Sequence, residues 1–301
     1  MASTAQRLSD VFEQARANPI PFDDSSKFIL FSDCHRGDNG WADDFAHNQL
    51  LFFNALCWYY ENGYTYIEVG DGDELWENRD FSVIRREHSH IFSLMQKFFL
   101  DDRLYLIWGN HDIERSDKKI VEEQLFSYED VRERTRKDLF KGIEVQEGIV
   151  LKHSVSGHEL FLVHGHQGSF ESEHIWRVSR HVVGRVWKPL QVFGVNDPTL
   201  PSQNEQKRHE VEDKIQAWIR ARNNQPLVCG HTHRSWFPLP GEVPYFNTGS
   251  CVHPRCITGI EIEGGNIRLI KWWNKAEDRT RYLKVEVEEI EPARRLADYY
   301  R

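Results

Sequence analysis

At 301 residues the chain can bury a full hydrophobic core in one large domain or two small ones, and 40% apolar against 28% charged residues, with ten tryptophans, exclude a disordered class. The formal charge of -9 argues against a general nucleic-acid binder, because affinity for the phosphate backbone is built from clustered Lys and Arg. No apolar run reaches the roughly 18 residues of a membrane helix and the N-terminal MASTAQRLSDVFEQARANPIPFDDSS has no signal-peptide core, so a soluble, cytoplasmic protein is expected. The five cysteines (Cys34, Cys57, Cys229, Cys251, Cys256) are odd in number and form no CxxC pair, which points to reduced thiols rather than a disulfide framework or zinc finger.

In chain order, short β-rich apolar runs alternate with longer helical patterns: KFILFS (27 to 32), a helix from about Asp43 to Asn62, TYIEVG (65 to 70), a helix over about 82 to 100, and RLYLIWG (103 to 109). This alternation predicts βαβ units and a sheet covered by helices. After Phe140 come closely spaced strands, IEVQE, IVLKHS and ELFLVHG, then a helical insertion over about 168 to 225. The C-terminal third again reads as strands (PLVCG, YFNTG, ITGIEIE, NIRLIKWW, YLKVEVEE) separated by turn signals such as Gly264-Gly265. No internal repeat or low-complexity linker interrupts the chain, so residues 1–301 read as a single domain carrying a cap insertion.

Polar residues fall where the apolar runs end: Asp33-Cys34-His35, Gly70-Asp71, Gly109-Asn110-His111-Asp112, His164-Gly165-His166 and Gly230-His231-Thr232-His233. In open α/β sheets sites assemble at the carboxyl ends of strands. Residues i and i+2 of an extended chain share a side, so Asp33 with His35, and His231 with His233, can each reach one centre while Cys34 and Thr232 face away. A lone DxH or HxH is ordinary polarity; five metal-capable strand ends in one chain make a candidate metal centre. His88 and His90 stand in a helical pattern, where i and i+2 diverge by about 200 degrees, and read as surface residues. Cys34 reads as an inert buried thiol.

As an ordered set these motifs resemble the calcineurin-like metallophosphoesterases, which carry DxH, GDxx(D/E), GNH(D/E), a lone His after a strand and GHxH, often followed by NxGS, matched here by Asn247-Thr248-Gly249-Ser250. The resemblance spans about residues 27 to 275 and implies an α/β fold, a four-layer αββα sandwich of two mixed sheets with the metal site at the strand ends. It implies two divalent ions, one held by Asp33, His35, Asp71 and His233, the other by Asp71, Asn110, His164 and His231, with Asp71 as the bridge. Four imidazoles with carboxylate and amide oxygens suit Mn, Fe, Zn or Co better than Ca, and Mn is favoured. By the same resemblance a metal-bridging hydroxide attacks phosphorus, and His111 binds the phosphoryl oxygens and protonates the leaving alcohol while Asp112 holds its ring. The alternative for His111 and Asp112 is a helix cap. His166, two beyond His164, is expected beside the ligands.

Gly70-Asp71 and Gly72-Asp73 offer two registers for the bridging carboxylate. The first puts Glu74 where the family has an acid; the second would put Trp76 there. Alternation agrees, since Ile67, Val69 and Asp71 share one strand face. Asp71 is therefore the bridge, Glu74 an acid beside the ligands or at a helix start, and Asp73 and Glu77 are expected to be solvated.

Within the insertion, HIWRVSRHVVGRVWK places His174, Arg177, His181, Arg185 and Lys188 inside an arc of about 80 degrees on a helix, bordered by Ile, Val and Trp. Arg177, His181 and Arg185 are candidates to bind a small phosphorylated substrate with an apolar or nucleotide part; the alternative is a solvated helix face. At subfamily level the sequence is most similar to the UDP-2,3-diacylglucosamine pyrophosphatases of lipid A synthesis, which share the pattern at Gly70 to Trp76 and a basic helical cap. They typically have Arg where His111 stands and lack the Asn247 to Ser250 continuation, so a more general phosphomonoesterase or phosphodiesterase is expected. A non-catalytic scaffold on this fold would tolerate loss of ligands, and none is replaced here. A nuclease would need a basic track, against which the net charge weighs.

Overall fold

The computed structural model describes residues 3–130, 132–168, 205–276 and 283–300. Seven strands form the larger sheet: β2 (Lys27–Phe31), β3 (Thr65–Val69), β4 (Leu104–Ile107), β7 (Val145–Gln146), β12 (Cys256–Glu263), β13 (Asn266–Ala276) and β14 (Leu283–Arg295). Their order is β14-β13-β12-β2-β3-β4-β7, parallel from β2 to β7 and antiparallel from β14 to β2. The smaller sheet runs β1 (Ile20–Phe22), β8 (Gly148–His153), β9 (Glu159–Val163), β10 (Leu227–Cys229) and β11 (Tyr245–Asn247), with only β8 and β9 antiparallel. A hairpin of β5 (Ser127–Asp130) and β6 (Thr135–Asp138) stands apart from both.

Strand alternation sorts the side chains into layers. Leu30, Ile67, Val69 and Ile107 from the larger sheet meet Ile149, Leu151, Leu160, Leu162 and Val228 from the smaller one. The intervening residues point outward: Ile29, Phe31, Tyr66 and Leu106 pack under α2 (Gln49–Glu61), α3 (Phe81–Glu87), α4 (Ser89–Leu100) and α5 (Lys118–Leu125). On the far side Val150, Phe161, Val163 and Leu227 pack under α1 (Thr4–Arg16) and α6 (Glu205–Ala221). The result is the expected four-layer αββα sandwich.

Helix α1, noted in the sequence only for having no signal-peptide core, is amphipathic: Leu8, Val11, Phe12 and Ala15 recur at helical spacing on its buried face, and Ser3 caps it by accepting the Gln6 N–H. Of the insertion expected over 168 to 225, the described part is α6, whose Val211, Ile215, Trp218 and Ile219 pack on the sheet and on Phe12. Arg177, His181 and Arg185 lie outside the described residues. The helix predicted over 82 to 100 is broken at His88 (φ -104, ψ 29). That imidazole is no surface group: it is fully buried, its Nε2 3.2 Å from Asp43 Oδ2, and it holds the loop that follows β2.

Candidate metal centre

Strands β2, β3 and β4 are parallel and adjacent, so Asp33, Asp71 and Asn110 emerge at one edge of the larger sheet. Parallel β9 and β10 deliver His164 and the His231–His233 loop beside them. The extended alternation expected for DxH and HxH does not hold at the rim: Asp33 (φ 51), His35 (φ 48), Asp71 (φ 51), His231 (φ 67) and His233 (φ 56) are all left-handed. Non-glycine residues carry a cost of about 1–3 kcal/mol each in sparsely populated backbone regions, and such strain gathers at functional sites. Close approach of the loops needs glycine at Gly109 and Gly230 among other points: a Cβ on Gly109 would stand 2.1 Å from Asp71 Oδ1, and one on Gly230 would stand 2.4 Å from Asp33 Oδ2.

Two compact groups of ligand atoms result, each with its atoms within 4.8 Å of one another: Asp33 with His35 and His233, and Asp71 with His164 and His231. His35, Asp71 and His111 form a third such group, so Asp71 and His35 lie between neighbours on both sides. His233 Nε2 is 3.1 Å from Asp33 Oδ1 and 3.2 Å from His35 Nε2. Asp71 Oδ2 is 3.1 Å from His164 Nε2 and 3.8 Å from His35 Nε2.

The far sides of Asp33, Asp71 and His164 are tied down. Asp33 Oδ2 accepts the His231 N–H at 2.9 Å and the Ser32 hydroxyl. Asp71 Oδ1 accepts the His111 N–H at 2.8 Å, and His164 donates Nδ1–H to Val69 O at 2.9 Å. The near side is left over: Asn110 Oδ1 and His231 Nε2 are buried with no hydrogen-bond partner among the described residues, while Asp33 Oδ1 and His164 Nε2, buried too, face only other members of the cluster, His233 and Asp71. A buried polar atom without a partner costs about 1–3 kcal/mol. Oxygen and imidazole atoms left over in this way fit divalent cations, whose ligating histidines are fixed through their other nitrogen.

Burial alone would raise the Asp71 carboxyl, but the surrounding imidazoles of His164, His111 and His35 hold it well below the usual carboxylate range. Asp33 is likewise lowered, with His233 and His35 outweighing burial. Burial and then His164 push His231 down to about 3, while Asp71 overcomes burial to lift His164 to about 9. His166 is fully buried with neither ring nitrogen partnered among the described residues; it lies 5.6 Å from the His164 ring and 5.1 Å from Trp108, in none of the ligand groups.

The ring of His111 is held by Glu74, not by Asp112. Glu74 Oε2 stands 2.6 Å from His111 Nδ1 and 2.9 Å from His35 Nδ1, so one carboxylate oxygen orients both imidazoles. Those contacts keep Glu74 down at about 2 despite its burial. Asp112 turns beneath the loop and accepts from the Gly109 N–H at 2.6 Å and the Gly72 N–H at 3.1 Å; it makes no side-chain helix cap either. Burial raises its carboxyl to about 6, against the pull of Arg115.

A family model described as Calcineurin-like phosphoesterase matches residues 26–235, which contain every candidate ligand from Asp33 to His233. The chain belongs to the calcineurin-like phosphoesterases. Comparison with curated proteins returns no match. Among solved structures, Vacuolar Protein Sorting 29 from Cryptosporidium parvum aligns over 90% of this chain and 100% of its own at 13% identity and a TM-score of 0.38. Vps29 from Chaetomium thermophilum aligns over 89% of this chain and 97% of its own at 10% identity and a TM-score of 0.42.

In this chain the expectation that Asp73 is solvated is wrong. Asp73 is fully buried, takes Arg36 Nε at 2.7 Å on one oxygen and pairs with Arg115 on the other. Arg36 also forks onto Glu68 at 2.6 and 2.9 Å, and Tyr66 donates to Glu68 at 2.7 Å. This buried string fastens the DxH, GD and GNHD loops to one another from below, and it escaped the sequence reading although Glu68 inside an apolar strand was its signal. The NxGS segment does the same from the other side: Thr248 Oγ1 lies 2.6 Å from Ser32 Oγ, Ser250 donates to Asp33 O at 3.1 Å, and Asn247 Nδ2 donates to Gly230 O at 2.8 Å.

Proposed function

We propose that the protein is a metal-dependent hydrolase of small phosphate esters. The observation that carries the reading is the set of buried, unpartnered ligand atoms at one rim, in a chain where no ligand position of the family pattern is replaced. One divalent ion would be held by Asp33, His35, Asp71 and His233 and a second by Asp71, Asn110, His164 and His231, with Mn favoured over Fe, Zn or Co. Such ions supply positive charge for a phosphoryl group and acidify water enough to make it a nucleophile near neutral pH.

The chain's own residues supply the proton and the orientation. With Nδ1 of His111 on Glu74, its Nε2 is the nitrogen able to face a substrate. As water oxygen bonds to phosphorus the ester P–O bond breaks, and its electron pair leaves on the alcohol oxygen. His111 gives that oxygen the Nε2 proton, the attacking water gives up its own proton to solvent, and alcohol and phosphate are released. Glu74 stabilises the imidazolium before transfer; its carboxylate and that of Asp71 outweigh burial and raise His111 above the ordinary histidine range.

The test is to strip the purified protein of metal, restore Mn, Zn, Fe, Co or Mg singly, and assay an aryl monoester, an aryl diester and UDP-2,3-diacylglucosamine side by side. Hydrolysis of the aryl esters with Mn is expected, and His111→Ala, with metal content retained, should cost about 10²–10⁴-fold on an alkyl ester whose leaving alcohol needs the proton. Absence of turnover under every metal contradicts the reading and is the outcome a non-catalytic scaffold requires. Turnover confined to the UDP lipid replaces the general esterase by a pyrophosphatase.

A further inference from the structure

We propose that Trp76 is the positioning residue that sets the ring plane of His111, an inference that rests on the hydrolase reading above. The indole lies face to face with the imidazole, ring centroids 4.2 Å apart and planes 20 degrees apart. The His35 ring stands nearly perpendicular to the same imidazole, centroids 4.6 Å apart and planes at 88 degrees. Glu74 fixes one nitrogen of His111 but leaves the ring free to pivot about that hydrogen bond. A flat aromatic face removes the pivot, because any rotation out of plane drives the imidazole into the indole.

Chain geometry explains how two residues so close in sequence hold one ring between them. Glu74 and Trp76 leave the same short loop after β3, one offering an oxygen to the edge of His111 and the other a face to its plane. Trp76 Nε1 is buried and has no hydrogen-bond partner among the described residues, so its N–H does not aim the indole. The face, not the N–H, is therefore the functional part.

A proton donor matters most when the leaving alcohol is a poor one, and displacement of a donor by about 1 Å can cost on the order of 100-fold in rate. The experiment compares Trp76→Ala, Trp76→Phe and His111→Ala on an alkyl phosphate and on 4-nitrophenyl phosphate, with metal content measured in each. The His111 ring-proton shifts are followed by NMR in the zinc-loaded protein. Trp76→Ala should lose roughly 10- to 100-fold in kcat on the alkyl ester and only about 2- to 3-fold on the nitrophenyl ester, with KM and metal content held. Trp76→Phe should restore most of the lost rate. The ring protons of His111, shifted upfield by the indole, should keep that shift in Trp76→Phe and lose it in Trp76→Ala. Equal losses on both esters, or loss of metal, make Trp76 a packing residue and overturn the proposal. A wild-type protein that turns over neither ester defeats the hydrolase reading itself, and the NMR shift then reports the stack alone.

Discussion

At Asp71 one carboxylate oxygen accepts the His111 N–H at 2.8 Å while the other stands 3.1 Å from His164 and 3.8 Å from His35, so the side chain lies between both groups of ligands. Two residues on, Asp73 is wholly enclosed by Arg36 and Arg115. Asp71→Ala should abolish binding of at least one ion with a folded protein remaining. Asp73→Ala should instead leave two buried guanidinium groups short of a counter-charge and cost about 3–5 kcal/mol of stability. Metal analysis and urea denaturation separate the two; loss of metal in Asp73→Ala with stability unchanged would move the bridge by two residues. The candidate ligands were legible because each motif marks one strand end and the ordered set resembles the family pattern. The partners of Glu74, Asp73 and Asp112 were not: a carboxylate's partner depends on which loop packs beneath it, and spacing along the chain does not record that. His111 and Asp112 are neighbours in sequence, yet the ring meets Glu74, 37 residues earlier.

The ligands ride on the turns just beyond β2, β3, β4, β9 and β10, and those strands were readable from their apolar runs. Their rims were read as extended, whereas five ligands have positive φ. The loops also crowd one another, as where Asp71 leaves Gly109 no room for a Cβ, and a single window of sequence contains only one of the loops. Gly109→Ala should therefore act as a ligand mutation without touching a ligand. Its methyl would force Asp71 aside, and metal affinity should fall at least about 10-fold, as substitutions of groups that orient ligands do. Titration calorimetry with Mn measures this; an affinity equal to wild type would show that the loop has slack the geometry denies. The helices tell the same story in reverse: α4 was legible from its apolar face, but the break at His88 follows from a buried bond to Asp43, 45 residues away.

At the scale of the molecule, two sheets packed through a common apolar layer bring their parallel strands to an end at one edge, and segments as distant as Asp33 and His233 meet there at 3.1 Å. The buried string from Glu68 to Asp112 and the stitch from Ser32 to Ser250 hold the loops from two sides, leaving unpartnered ligand atoms between them. Helix-covered sheets were legible from the run of strands and helices, and the four-layer order from the family resemblance. The α1 layer was not, because an amphipathic helix with few apolar residues reads as polar until the sheet it covers is known. The central claim is that this rim is built for a pair of divalent ions. It is tested most directly by counting metal in the purified protein by plasma emission spectrometry after dialysis against Mn. Two ions per chain are predicted, falling to one or none in Asp71→Ala; a wild-type protein that holds no metal, or holds it undiminished in Asp71→Ala, would contradict the account.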